Sequence, residues 1–172
     1  MEFENVLRTR QSVRKFQGKE IPRETLQKIL ELASRAPSAG NLQAFKVVII
    51  KDEAMRKKLS KAALDQQSVA EAPVNLVICA VPEESAAKYG ERGRTLYAIQ
   101  DATIFAAYIQ LTATNLGLSS VWVGAFDEGK VSDILGLEEN MIPLAIIPLG
   151  FSAEKPERKR RKGLEEIIHK EI

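Results

Sequence analysis

The chain has 172 residues, 45% of them apolar and 28% charged, which is enough for one domain with a substantial hydrophobic core. The net charge of +2 gives no general attraction to nucleic acid or to an anionic membrane, and a single cysteine excludes an internal disulfide framework. One histidine, near the C-terminal end, leaves no Cys/His set for zinc, so we expect no metal site and no Ser-His-Asp hydrolase. The chain opens without a charged-then-apolar signal segment, so the expected location is the cytoplasm.

The first half of the chain predicts two helices and two strands. Pro22 can open a helix, and apolar residues at 26, 29, 30 and 33 repeat with helical spacing to about Ala36. A strand over 45–50 follows, and Asp52 can cap a helix that runs to about residue 63. The apolar run 74–81 predicts a buried strand, with Cys79 as a core residue.

The second half predicts a polar loop over 83–94 and a long apolar helix over 96–117. Polar residues interrupt that helix, so it is too polar to cross a membrane and is better interpreted as a central helix or a subunit contact. A strand over 119–124, a short helix over 128–135 and a strand over 144–149 complete the body, followed by a charged extension. This alternation of strands and helices, taken alone, suggests a parallel doubly wound sheet.

Four polar or basic segments punctuate these elements. The segment 8–14 carries three arginines, whose guanidinium groups can hold a phosphate with paired hydrogen bonds, although a solvated basic helix end has the same composition. The turn 37–43 contains Pro, Ser, Gly and Asn, and the apolar strand at 121–123 stops at Gly124, where a backbone can approach a ligand closely. The fourth segment, 158–162, is entirely basic; such a run is often a solvated surface or a nucleic-acid patch.

Five segments in this order resemble the FMN-dependent nitroreductase family in its short form. They are RTRQSVRKF, RAPSAGNLQAF, AEAPVNLVICA, GLSSVWVGAFDEGKVSDILGL and RKRRKGLEEII, and the resemblance runs from residue 2 to about 169. The resemblance implies an α+β fold with a mixed, largely antiparallel sheet flanked by helices, in place of the parallel sheet. It also implies a homodimer in which 1–172 forms one FMN-binding domain and the extension at about 154–172 packs on the partner subunit.

The resemblance further implies which residues hold FMN. The phosphate, the ribityl chain and one ring edge would contact Arg10, Gln11, Ser12 and Arg14. The basic pair Lys159 and Arg161 in the tail would complete the phosphate site. The turn 37–43 of the other subunit would line the flavin ring. Gln66 would lie near the pyrimidine edge of the ring, and the backbone N–H of Gly124 would point at flavin N5. The remaining cofactor-binding residues implied in this way are Pro37, Ser38, Ala39, Gly40, Asn41, Trp122, Val123 and Ala125.

The implied activity is a ping-pong oxidoreductase that takes hydride from NADH or NADPH and reduces nitroaromatics, quinones or a similar small-molecule acceptor. The absence of obvious catalytic side chains fits this class, because a cofactor would carry the chemistry. Three alternatives remain open: a flavin-binding storage or sensor protein, a family offshoot such as a reductive dehalogenase, and a nucleic-acid-binding module built on the basic tail. The near-neutral charge argues against the last of these, so no nucleic-acid partner is expected.

Overall fold

The structure is a computed structural model, and it describes residues 2–172. Helices flank one sheet, and the long helix α6 is central to the packing because it contacts α2 and every strand. The helices are α1 (Phe3–Thr9), α2 (Arg23–Ala33), α3 (Glu53–Ala62), α4 (Gln67–Glu71), α5 (Pro82–Arg92), α6 (Ala98–Asn115), α7 (Glu128–Leu135) and α8 (Leu164–Ile167).

The sheet has the order β1-β2-β4-β3, and each neighbouring pair is antiparallel. Its strands are β1 (Phe45–Ile50), β2 (Val74–Ala80), β3 (Ser119–Ser120) and β4 (Ile142–Gly150). The parallel sheet suggested by the alternating pattern is therefore wrong, and the α+β architecture implied by the family resemblance is confirmed. Every residue of β2 is buried, because helices cover both faces of the sheet.

Two apolar clusters lie on opposite sides of the sheet, as the alternation of side chains along a strand requires. One contains Leu76 and Ile78 of β2 and packs against α2 and α6. The other contains Val77 and Cys79 and packs against α3 and α7. Cys79 is fully buried, as predicted, and burial raises the pKa of its thiol to about 11.

Most of the predicted elements are confirmed with small changes at their ends. The strand at 45–50 has the predicted bounds, and the Asp52 carboxylate caps α3 by accepting a hydrogen bond from the N–H of Met55 at 2.8 Å. The helix predicted over 22–36 ends at Ala33, and the one predicted over 96–117 occupies Ala98–Asn115. The strand predicted over 119–124 is shorter, because only Ser119 and Ser120 pair continuously with β4.

The polar loop predicted over 83–94 is wrong: this segment forms α5 and then a π-helical turn, Gly93–Tyr97, that leads directly into α6. Pro82 occupies the first turn of α5, and two glutamates follow it, where acidic side chains favour the helix dipole. The helix is interrupted at Gly90, whose φ of 57° lies in the left-handed region. Polar composition and an internal glycine thus concealed a helix that exposes half of its side chains to solvent.

The start of the charged extension is anchored to the body, while the rest is exposed. Residue 153 donates its N–H to the carbonyl of Lys15 at 2.9 Å, and Gln17 donates to the carbonyl of Phe151 at 2.9 Å. Beyond residue 156 nearly every residue is exposed, including the apolar side chains of α8. Within residues 2–172, no helix is both long and apolar enough to cross a membrane.

Candidate functional site: a basic cavity and a separate turn

A cavity of about 450 Å³ lies between the segment after α1 and the C-terminal extension. Two parts of the chain that are more than 140 residues apart in sequence supply its basic side chains. Its lining residues are Arg10, Gln11, Ser12, Arg14, Glu154, Pro156, Glu157, Lys159 and Arg161. This cavity therefore brings together all four residues predicted from the 10–14 segment and the two predicted from the tail.

The extended backbone after α1 fixes the segment that lines the cavity. Ser12 forms a bridge with Ser120, and the N–H of Val13 donates to the carbonyl of Ser120 at 3.1 Å. Val13 is buried in a small cluster with Phe16, so the residues on either side of it turn toward the cavity. The polar side chains of this segment consequently extend from an edge of the sheet.

Positive charge accumulates in this cavity without full compensation. Burial, and secondarily the nearby charge of Arg161, lower the pKa of Arg10 from its ordinary value. Lys159 is paired with Glu157 at 2.7 Å, whereas no carboxylate lies within 4 Å of Arg10 or Arg161 in the described part of the chain. Arg158 lines the neighbouring cavity instead, so the alternation along the tail places Lys159 and Arg161 on the same side.

Glu154 is a residue of this cavity that the sequence did not reveal. Its carboxylate accepts hydrogen bonds from the backbone N–H of Arg14 at 2.6 Å and of Lys15 at 3.2 Å. The bond from Arg14 is the main reason that the pKa of Glu154 is lowered. This contact ties the beginning of the extension to the basic segment and so helps to form the cavity.

A second group of predicted residues lies where β3 ends. The side-chain amide of Gln66 donates to the carbonyl of Ala125 at 3.0 Å, which brings Gln66 to the 122–125 segment. Val123 is buried and exchanges two hydrogen bonds with Ile146, so the residues on either side of it point away from the sheet. Trp122 is 37% exposed, and a Cβ at Gly124 would lie 3.0 Å from its indole nitrogen.

The turn 37–43 does not line the basic cavity within one chain. Pro37, Ser38 and Ala39 instead border a separate cavity of about 530 Å³, beside the π-helical turn and the first turns of α6. Gly40 and Asn41 follow with φ of 57° and 59°, so this turn has an unusual left-handed backbone.

Asp101 of α6 holds this turn. Its Oδ1 accepts a hydrogen bond from the N–H of Ala39 at 2.8 Å, and its Oδ2 is buried without a hydrogen-bond partner within residues 2–172. Sequence reasoning noted Asp101 only as an interruption of an apolar helix. A carboxylate in an otherwise apolar stretch was the available signal, because buried carboxylates are uncommon unless they hold something in place. Residues 2–172 contain no group of three or more His, Cys, Asp or Glu residues that could hold a metal ion.

Comparison with known proteins identifies the family. The model of the nitroreductase family matches residues 7–77 and 65–151, which together cover most of the chain. The chain belongs to the nitroreductase family.

Individual relatives show the same similarity along the chain. An NADH dehydrogenase from Thermus thermophilus is 32% identical over 186 residues, covering 92% of this chain and 91% of the relative. An FMN reductase [NAD(P)H] from Bacillus subtilis is 27% identical over 175 residues, covering 93% of this chain and 70% of the relative. The crystal structure of a nitroreductase family protein from Clostridium novyi superimposes with a TM-score of 0.82 at 29% identity, covering 92% of this chain and 89% of that one.

Proposed function

We propose that this protein is a homodimeric FMN-dependent oxidoreductase that takes reducing equivalents from NADH or NADPH and passes them to a nitroaromatic, a quinone or a similar conjugated acceptor. The observation that carries the proposal is the convergence of Arg10 and Arg161 on one cavity without a carboxylate partner. Two close cations repel each other, and a bound phosphate would replace that repulsion with charge-assisted hydrogen bonds. Similarity to an FMN reductase [NAD(P)H] favours FMN and a nicotinamide nucleotide as the ligands.

The donor set suits the terminal phosphate of a mononucleotide. Guanidinium groups from Arg10, Arg14 and Arg161 can donate to phosphate oxygens, and the hydroxyl of Ser12 adds a further donor. The side-chain oxygen of Gln11 is buried without a partner in the described residues, so a ribityl hydroxyl has an acceptor available there. FMN, when bound, would supply the hydride chemistry for which no acid, base or nucleophile of the chain is evident.

A dimer would complete the site. Within one chain the turn 37–43 lines a different cavity from the basic residues, and in the proposed dimer a second copy brings its turn to the flavin. Exposed apolar side chains are available for such an interface: Phe3 is 68% exposed, Leu32 43% and Tyr108 37%, and all three border one cavity of about 440 Å³. Two-fold symmetric contacts through one shared patch are the commonest arrangement for homodimers.

The chain's own residues would mainly bind and orient the two substrates. Gly124 can present its backbone N–H toward the ring without a side chain in the way, and Trp122 beside it limits the width of the site. Reductant and acceptor would then use the same open face in turn, and each would exclude the other. This gives parallel lines in initial-rate plots, the behaviour of a ping-pong cycle.

Identification of the bound flavin tests the proposal directly. Purified protein should be yellow, and flavin released from it should be FMN at one molecule per subunit. FAD in the released material, or a colourless protein that takes up no added FMN, would contradict the proposal. Anaerobic mixing with NADH and NADPH should bleach the flavin. Reduction too slow to measure with both nucleotides would instead favour a flavin-binding protein that does not turn over.

A further inference from the structure

Helix α5 leaves two of its cations unpaired, although it carries several acidic residues. Glu83 and Glu91 both pair with Arg94, and Glu84 pairs with Lys46 at 3.3 Å. Lys88 and Arg92 are exposed, and neither has a carboxylate within 4 Å in the part of the chain that the structure describes. The local acidic residues are thus neutralised by other cations, and a net positive charge remains at the C-terminal end of this helix.

Two tyrosines order these cations. The Nε of Arg92 donates to the Tyr97 hydroxyl at 3.0 Å, and its guanidinium carbon lies 5.4 Å from the centre of that ring. The Nζ of Lys88 lies 5.3 Å from the centre of the Tyr89 ring. The two rings meet edge to face with centres 5.2 Å apart, so all four side chains form one contiguous group, the Lys88/Arg92 cluster.

The Lys88/Arg92 cluster borders the turn that is proposed to line the flavin ring. Tyr97 lines the same cavity as Pro37 and Ala39. A Cβ at Gly40 would overlap the Tyr89 hydroxyl and lie 2.8 Å from the Nζ of Lys88. A molecule stacked against this turn therefore lies beside Lys88 and Tyr97, and Arg92 follows through its hydrogen bond to the Tyr97 hydroxyl.

We propose that Lys88 and Arg92 bind the phosphate groups of the nicotinamide nucleotide and so determine the affinity for the reductant. This inference rests on the proposed function. The reductant is the one substrate that always carries phosphates, whereas a nitroaromatic or a quinone need carry no charge. Ordered cations beside aromatic rings suit a ligand that combines phosphates with planar rings. NADPH, with a third phosphate, gains more from this site than NADH.

The test compares a charged reductant with one that has no phosphate. Flavin-loaded wild type, the double variant Lys88→Gln/Arg92→Gln and the control Lys58→Gln are reduced anaerobically at several reductant concentrations. Lys58 is exposed on α3, which packs against the opposite face of the sheet. The reductants are NADPH, NADH and 1-benzyl-1,4-dihydronicotinamide, which carries the nicotinamide ring without a phosphate.

The double variant should raise the half-saturating concentration of NADPH about tenfold or more, with a smaller rise for NADH, since each lost charged hydrogen bond weakens binding about tenfold. The limiting rate of reduction should change little, and the response to the benzyl compound should stay the same. Lys58→Gln should behave like wild type. The charge-retaining variant Arg92→Lys should keep most of the NADPH affinity, which separates charge from the structural contact with Tyr97.

Two results would overturn the proposal: unchanged half-saturation for NADPH in the double variant, or an equal loss with the benzyl compound. A selective loss with a carboxylate-bearing acceptor such as 4-nitrobenzoate, with NADPH unaffected, would assign the cluster to the acceptor and also overturn it. Binding of the unreactive analogue tetrahydro-NADPH, measured by calorimetry on the flavin-loaded protein, provides a readout without turnover. If wild type binds this analogue but no reductant bleaches the flavin, the proposed function fails while the phosphate site stands.

Discussion

The bond between Asp101 and the turn 37–43 leads to the sharpest prediction about stability. Asp101 is 2% exposed, and its Oδ1 is the acceptor for the Ala39 N–H at 2.8 Å. Asp101→Ala would leave that N–H without its acceptor and open a space beside it. Hydrogen bonds to charged groups contribute about 1.5–3 kcal/mol. The lower end applies, because the substitution also removes the Oδ2 atom that is buried without a partner.

We therefore expect Asp101→Ala to lower the free energy of unfolding by about 1.5 kcal/mol, which corresponds to a fall in Tm of about 3–6 °C for a chain of this size. Asp101→Asn retains an acceptor oxygen at the same place and should recover most of the loss. Gln100→Ala, at an exposed neighbour on α6, is the matched control and should change little. The measurement is urea unfolding with and without saturating FMN, since bound ligand adds stability of its own.

The prediction also extends to the ligand. If the turn 37–43 contributes to flavin binding, Asp101→Ala should weaken FMN binding as well as stability, because the left-handed turn would lose the contact that positions it. Asp101→Ala with the stability of wild type would show that the Ala39 contact contributes nothing. Asp101→Asn as damaging as Asp101→Ala would show that the negative charge, and not the accepted hydrogen bond, is what matters.

Three further predictions concern other parts of the chain. Arg161→Gln should weaken FMN binding about tenfold or more in a fluorescence titration, whereas Arg158→Gln, in the neighbouring cavity, should not; equal effects would refute the assigned register of the tail. Folding lowers the pKa of Glu154, so its carboxylate stabilises the folded protein above the ordinary pKa near 4.3, and this contribution is lost as pH falls through the lower pKa of the folded state. Glu154→Gln should therefore reduce the dependence of the free energy of unfolding on pH on the acid side, and an unchanged pH dependence would contradict this. Cys79 should resist Ellman's reagent at pH 8 in the folded protein and react on unfolding, because its pKa is raised to about 11; rapid reaction of the native protein would show that it is accessible.

The fold could be predicted from the sequence wherever a local signal decided the structure. The β-branched run at 45–50 and the cap at Asp52 are such cases, and both are observed. The relative direction of paired strands, in contrast, is not determined by the local sequence. The largely apolar run of β2, with Asn75 as its one polar residue, resembles a parallel strand. It reflects burial on both faces, and the partners of β2 are antiparallel. The signals for α5, Pro82 and the acidic first turn, were present but were outweighed by Gly90 and by the polar composition.

The candidate site was predictable only in part, for a related reason. Its positive charge could be read from segments 8–14 and 158–162, but their convergence depends on contacts between distant residues. The carboxylate of Glu154 meets the backbone of Arg14 across 140 positions, and nothing in the residue types near either one indicates this bond. Asp101 was visible only as a polar interruption, and its partner, the N–H of Ala39, is a backbone group that no residue type reveals.

The overlong prediction for the strand at 119–124 shows how the sheet gives way to the candidate site. Ser119 and Ser120 pair with β4, and Ser120 also bridges to Ser12 of the basic segment. The N–H of Val121 donates to the carbonyl of Pro148 at 3.4 Å, and Val123 exchanges two hydrogen bonds with Ile146, so the segment stays against β4 beyond the two residues of β3. Val121 and Val123 are buried while Trp122 between them is 37% exposed, and this alternation is why the sequence looks like an unbroken strand. Because the N–H groups of Val121 and Val123 donate to β4, the alternation along an edge strand turns those of Trp122 and Gly124 away from β4, where a ligand can accept hydrogen bonds from them.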